Sequence, residues 1–286
     1  MKNYIVKLYK LLSPTLSPFL AITGINRLGF VKQIFNKLKS NYAEVNGHKM
    51  FLDVNDCMSL SLNAVFEEHE TDVITRMVKK GNTVIDIGAN IGYYTLIFAR
   101  LVGESGKVYA FEPDPSNFSL LKKNVEINGY RNVVLIQKAI SDKSGKLKLY
   151  LNQDNKGDHR VYDSKDGRPS VEIDCISLDE FFANSAEGIN FIKMDIQGSE
   201  WGAINGMKNF LKKQKSLKIL SEFWPGGLKK SGAVPIKYLE FFVQNNFNIS
   251  ELNGTLKTVE PITPQKLVEK YSVDEEGFTN ILCVKE

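Results

Sequence analysis

Residues 84–95 read VIDIGANIGYYT and carry the strongest chemical signal in the chain. An apolar run ends around Asp86, and Gly88 and Gly92 follow it. Glycines at such a strand-to-helix turn let the backbone approach a ligand closely, at the N-terminus of the next helix. A dinucleotide fingerprint needs glycines where Asn90 and Tyr93 stand. The Asp86 carboxylate would repel a pyrophosphate but suits a cationic ligand. The plain alternative is a glycine-rich turn without a ligand. A second signal is FEPDP, residues 111–115, where Glu112 ends the next strand. An acid there accepts hydrogen bonds from both hydroxyls of an adenosine ribose; taken alone it reads as a solvated side chain. Pro113 fixes the turn after it, and Asn117 lies one helical turn on. The third signal is INFIKMDIQGSEWGAINGM, residues 189–207. Its Asp195 ends a strand at the edge where open α/β sheets bind ligands. Asp195 either serves that site or caps the following helix, and Ser199 is available to cap it instead.

These residues need strands that end side by side. After Gly81 the chain alternates apolar strands and amphipathic helices: NTVIDIG, then 91–102; KVYAFEPD, then PSNFSLLKKNVEING; and NVVLIQKAIS as a third strand. KLKLYL and VEIDCIS are further extended pieces. INFIKMDI precedes a helix over GSEWGAINGMKNFL, and LKILSEFW precedes IKYLEFFVQNN. FNISELN and FTNILCVKE close the chain as strands. This order predicts a parallel sheet covered by helices on both faces, with an antiparallel edge. Upstream, EVNGHKMFLDV reads as a hairpin turning at Asn46-Gly47, and residues 67–80 as a helix stopped by Gly81.

The D-x-G-x-N-x-G pattern resembles the glycine-rich motif of class I methyltransferases, which bind S-adenosylmethionine. Together with GHKMFLDV, FEEHET, VYAFEPDPSN, VEIDCISLDEFF, IKMDIQGSE and SEFWPGGL, in order over roughly residues 46–225, it resembles the FkbM family of S-adenosylmethionine-dependent methyltransferases. The resemblance implies a Rossmann-like class I fold, S-adenosylmethionine as cofactor, and methyl transfer to an oxygen of a small-molecule or glycan acceptor. The cofactor-binding set expected on it is Asp86, Gly88, Ala89, Asn90, Gly92, Tyr94, Thr95, Glu112, Pro113, Asn117 and Ala139. One departure stands out: the family usually reads D-V-E-G where this chain has Gln197, so no role is carried onto that position.

Proton removal from an acceptor hydroxyl needs a base at the carboxyl edge. Asp195 ranks first, Glu222 second and His159, in the polar insertion NQDNKGDHR, third. Asp195 alternatively holds the cofactor's amino group or orients the acceptor, and Asp195 with Glu222 sharing a divalent cation is a minority reading. Trp224 and Pro225 line an acceptor pocket, or Trp224 is simply core. Other classes compete: a non-catalytic cofactor- or nucleotide-binding module, an NAD-dependent oxidoreductase, and a methyltransferase acting on nitrogen or a macromolecule. DIQG replaces the D-P-P-Y type motif of nucleic-acid amino methyltransferases, and the lysines at 208, 212, 213, 215 and 218 read as a solvated face, so no nucleic-acid partner is expected.

Charge divides the chain. The net charge is +4, yet no acid precedes Glu44, while Lys2, Lys7, Lys10, Arg27, Lys32, Lys37 and Lys39 place +7 on the first 40 residues and leave −3 beyond. Residues 1–43 therefore read as a basic arm of two short amphipathic helices, and 44–286 as the methyltransferase domain, with a lead-in over 44–80 and the core over 81–286. The arm is either a helical lid or a peripheral contact with anionic lipid. Pro14 and Pro18 interrupt its longest uncharged stretch, so it is expected neither to span a membrane nor to act as a signal peptide. Three scattered cysteines give neither a disulfide framework nor a zinc site, and three histidines without ligand spacing give no metal centre. A cytoplasmic protein, membrane-peripheral if the arm binds lipid, is expected; the oligomeric state is open.

Overall fold

The computed structural model describes residues 41–61, 63, 65–271 and 277–286. The two helices expected before residue 40 lie outside that set. The described chain falls into two units, divided between Phe66 and Glu67. In the first, β1 (Tyr42–Val45) and β2 (His48–Phe51) pair antiparallel, with Val45 opposite His48. Asn46 and Gly47 both take positive φ, 52° and 79°, as a two-residue turn of this kind requires. After the hairpin, Asp56 folds the chain locally by accepting the amides of Leu60 and Ser61.

The second unit opens with α1 (Glu68–Met77) and then β3 (Thr83–Ile87), α2 (Tyr93–Val102), β4 (Lys107–Phe111), α3 (Pro115–Ile127) and β5 (Val133–Ile136). Pro115 and the Asp114 carboxylate, which accepts the amides of Ser116 and Asn117, start α3. The stretch expected as one third strand is two. After β5 the chain turns at Lys138 and enters a separate three-stranded sheet of β6 (Ala139–Ile140), β7 (Gly145–Tyr150) and β8 (Ser170–Ile176), in the order β6-β8-β7. A short α4 (Leu178–Phe181), capped by Ser177, leads to β9 (Phe191–Met194).

The helix expected after β9 is also two, α5 (Glu200–Asn205) and α6 (Lys208–Lys213). They separate at Gly206, where a Cβ would stand 1.9 Å from the Ser141 carbonyl oxygen. Next come β10 (Leu217–Phe223), α7 (Pro225–Lys230), α8 (Pro235–Gln244), β11 (Asn248–Asn253), β12 (Thr258–Pro261), α9 (Pro264–Tyr271) and β13 (Thr279–Lys285). The main sheet runs β12-β11-β13-β10-β9-β3-β4-β5, parallel from β10 to β5 and antiparallel beyond β10. The last strand is inserted between β10 and β11, so the antiparallel part is three strands wide rather than a two-strand edge.

This is an α/β fold built on a mixed, mostly parallel sheet with an antiparallel C-terminal part. Ile85, Ile87, Ile192, Met194, Ile219 and Phe223 form the middle of its core, each burial contributing about 1.5–3 kcal/mol. The chain goes outward from β3 to β4 and β5, then returns to the other side of β3 with β9. The crevice outside the carboxyl ends of β3 and β9 is thus the topological switch point, where open sheets bind ligands.

Candidate functional site

At that switch point two turns touch. Gly88, just past β3, has φ +81°, and a Cβ on it would stand 2.1 Å from the backbone oxygen of Asp195, just past β9. Only glycine fits there, which explains its place in VIDIGANIGYYT. The amides of Gly88 and Ala89 both donate to the Phe111 carbonyl. Asn90 adopts a left-handed backbone, and its amide donates to Glu112 Oε2 at 2.8 Å. Gly92, φ +99°, sits against Leu121 at the start of α2.

Glu112 is buried and accepts a second amide, that of Asp114, at 2.9 Å. Burial nevertheless pushes its carboxyl up to about 8. Pro113 follows it at the turn. Asn117, 2% exposed, donates through its amide nitrogen to the Lys156 carbonyl, while its Oδ1 is buried with no partner among the described residues. Asp86 lies 1% exposed within β3, with Thr95 donating to its Oδ2 at 2.6 Å. Its Oδ1 is likewise buried and without a partner among the described residues, and burial raises its pKa. Ala139 packs in the smaller sheet with Leu149, Ile173 and Cys175.

Beside this lies a cluster of acids around one lysine. Lys193, 6% exposed in β9, is level with Asp86 of β3 and reaches Asp195 Oδ2 at 3.3 Å. Burial opposes its charge, but Asp195, Glu67 and Asp86 together hold its pKa above the usual lysine range. Its ammonium also stands 4.5 Å from the centre of the Tyr94 ring, and the Tyr94 hydroxyl donates to Glu67 Oε2 at 2.6 Å. Burial pushes Glu67 up to about 7, with Lys193 opposing and Asp195 adding. Gln197 bridges the expected bases: its amide nitrogen is 2.8 Å from Asp195 Oδ1 and 3.4 Å from Glu222 Oε2. Burial, then Asp195, Glu200 and Glu67, raises Glu222 well above the carboxylate range.

Ser199 does not cap α5, and its hydroxyl is buried without a partner among the described residues. Glu200 instead closes the turn before α5, accepting the amides of Ile196 and Gly198 at 3.1 and 3.2 Å. Asp195 is therefore free of the capping role, by a different route from the one expected.

The structure brings Asp86, Asp195 and Glu222 into one charged neighbourhood and locks Asn90 to Glu112. His159 lies in the 151–169 loop, where its Nδ1 accepts the Asn152 amide at 3.1 Å and burial lowers its pKa. That loop crosses the site's rim. Lys156 rests on Asn117, while the Arg160 guanidinium lies 4.8 Å from the Trp224 ring centre. Sequence reasoning passed over Glu67, Lys193 and Arg160, and gave Gln197 no role. Lys193 had a signal, a charge inside an otherwise apolar strand; Glu67 had none, since nothing local ties it to Tyr94. The lysines at 208, 212, 213 and 215 are exposed, as a solvated face requires.

Among the described residues no group of three or more His, Cys, Asp or Glu is placed to hold a metal ion, and no helix is long and apolar enough to cross a membrane.

Residues 86–226 match the model of the methyltransferase FkbM domain. Residues 19–141 match that of protein-L-isoaspartate(D-aspartate) O-methyltransferase. The hexuronic acid methyltransferase AglP of Haloferax volcanii is 29% identical over 147 residues, 50% of this chain and 58% of that protein. A protein-L-isoaspartate O-methyltransferase of Methanococcoides burtonii is 39% identical over 59 residues, 21% of this chain and 29% of that protein. The chain thus spans less than two thirds of either relative. A solved putative methyltransferase of Streptococcus mutans, in complex with SAH, is 14% identical, with a TM-score of 0.45 over 77% of this chain and 97% of that one.

Proposed function

This chain belongs to the FkbM family of S-adenosylmethionine-dependent methyltransferases, and we propose that it transfers the methyl group of that cofactor to a hydroxyl oxygen of a small-molecule or glycan acceptor. The observation that carries the reading is the contact of Gly88 with Asp195, which sets a carboxylate-bearing turn against a glycine turn at the switch point. The relative named for hexuronic acid supports a sugar acceptor.

The residues present fit the cofactor. Asp86 keeps a buried oxygen without a partner among the described residues, which suits a cationic or amino-bearing ligand. Glu112, already oriented by two amides, has lone pairs left for ribose hydroxyls. Gly88, Ala89, Asn90 and Gly92 supply close backbone; Tyr94, Thr95, Pro113, Asn117 and Ala139 complete the proposed set. When bound, the cofactor supplies a methyl carbon activated by its sulfonium. The protein must hold the acceptor oxygen in line, exclude water and take its proton.

Asp195 is the proposed base. Lys193 and Gln197 donate to its two oxygens and fix its direction. Glu222, whose pKa burial raises, stands beside it on Gln197 and orients the acceptor. His159 ranks behind both, with Nδ1 already engaged.

The test is calorimetry with S-adenosylmethionine, S-adenosylhomocysteine and NAD, followed by labelled methyl transfer into a cell extract. Asp86→Ala and Glu112→Ala should each weaken cofactor binding about tenfold or more, about 1.4 kcal/mol. Wild-type affinity in both would refute the site, and binding of NAD alone would refute the function.

A further inference from the structure

The 151–169 loop carries four acids and four bases, and one of those bases, Arg160, is set against an aromatic ring just past β10. Arg160 is the centre of that loop's contact with β10's exit. Its side chain is 11% exposed, and its Nε donates to Asp158 Oδ1 at 2.7 Å. Its guanidinium stands 4.8 Å from the Trp224 ring centre and 5.9 Å from that of Tyr162. Trp224 is itself held flat on Gly227, where a Cβ would meet the ring at 2.1 Å. Gly227 in turn abuts Gly198, next to Gln197. A run of contacts, Arg160 to Trp224 to Gly227 to Gly198, thus ties the arginine to the turn that carries Gln197.

Its charge is incompletely matched. Arg160 and Arg168 share the one carboxylate of Asp158, and among the described residues Arg168 also pairs with Asp166, 40% exposed. Arg160 meets Asp158 through Nε, which leaves its two terminal nitrogens unspent on that carboxylate. Beside it Tyr162 has a buried hydroxyl with no partner among the described residues. Polar donors buried without acceptors are costly unless a ligand completes them. A guanidinium with both terminal nitrogens available is a fork for a carboxylate or a phosphate.

We propose that Arg160, braced on Trp224 and assisted by Tyr162, binds an anionic group of the acceptor, a carboxylate or a phosphate, and so turns the acceptor's hydroxyl toward Asp195. Orientation follows from polarity. An anion is repelled by the Asp195 carboxylate and attracted to the Arg160 guanidinium, so a charged acceptor is held with its anionic end at the arginine. This rests on the methyl-transfer reading above and narrows its substrate to an anionic acceptor.

The experiment is labelled methyl transfer from S-adenosylmethionine into a small-molecule and glycan extract, with the product run on an anion-exchange column. The labelled product should be retained. Phosphatase treatment that abolishes retention identifies a phosphate monoester, and retention that survives it but is lost on carbodiimide amidation identifies a carboxylate. Arg160→Gln should raise KM for the purified acceptor at least tenfold while S-adenosylhomocysteine affinity stays within twofold. Tyr162→Phe, which removes one oxygen and keeps the packing, should raise KM about threefold. An unretained product, or unchanged KM in both variants, overturns the proposal. Failure of the wild-type chain to bind S-adenosylhomocysteine or to transfer any label removes the reading beneath it instead.

Discussion

Gln197 is a neutral donor standing between two carboxylates of the acid cluster. Its amide nitrogen lies 2.8 Å from Asp195 Oδ1 and 3.4 Å from Glu222 Oε2. The family pattern usually has an acid here, and the structure explains what the amide does in its place: it draws Asp195 and Glu222 toward a shared hydrogen. Gln197→Glu replaces that donor with a third carboxylate, and like charges so close cannot all ionise at neutral pH. The proton then held in the cluster competes with the one Asp195 must accept. The acid limb of the kcat profile should move up by about one pH unit, with turnover on that limb down about tenfold. Affinity for S-adenosylhomocysteine should not change. Superimposable pH profiles would show that the amide does not govern the pair. A smaller effect belongs to Tyr94→Phe, which strips Glu67 of its hydroxyl donor and should lift the Glu67 pKa further above about 7.

Glycines decide where elements stop, and their effects separate by what surrounds them. Gly129 has φ +72° and nothing within 4 Å of an added Cβ, so Gly129→Ala costs only backbone strain, about 1 kcal/mol. Gly206 has ordinary backbone, but its Cβ would collide with the Ser141 carbonyl, so Gly206→Ala must push two segments apart at about 2–3 kcal/mol. Gly88 combines both problems, and Gly88→Ala should lose stability and cofactor binding together. Urea denaturation should rank them in that order; a Gly206 variant as mild as Gly129→Ala would show that the contact is soft. The same contacts explain what was legible in the sequence. Alternating apolar strands and helices are local patterns, so β3, β4, β9 and β10 fall where periodicity puts them, and Asp86, Glu112, Asp195 and Glu222 follow as residues at their ends. The split of α5 from α6 depends on Ser141, and the departure of β6 from the main sheet depends on β8; neither partner is near in sequence. Strand β12 and helices α7 and α9 are short and bounded by proline, and carried too little periodicity to be read. The acid and arginine partners of the site, Glu67 and Arg160, come from segments whose placement only tertiary packing sets.

Summed over the second unit, the burial of acids makes a statement about pH. Glu67 and Glu200 are pushed up to about 7 and Glu112 to about 8, chiefly by burial, and Glu222 and Asp86 are raised as well. In the unfolded chain each returns to about 4.3 for Glu or 3.9 for Asp. Between those values and about 7–8 the folded state binds more protons than the unfolded one, so stability falls as pH rises through that window. The free protein should therefore melt at least about 3 °C lower at pH 8 than at pH 6. Cofactor binding should oppose the trend, because Glu112 accepts ribose hydroxyls best when ionised, so the melting shift given by S-adenosylmethionine should be larger at pH 8. Differential scanning fluorimetry at fixed ionic strength measures both. A melting temperature that is flat or rises from pH 6 to pH 8 would mean that Lys193 and the surrounding amides already compensate the buried carboxylates. A cofactor shift independent of pH would remove Glu112 from the ribose.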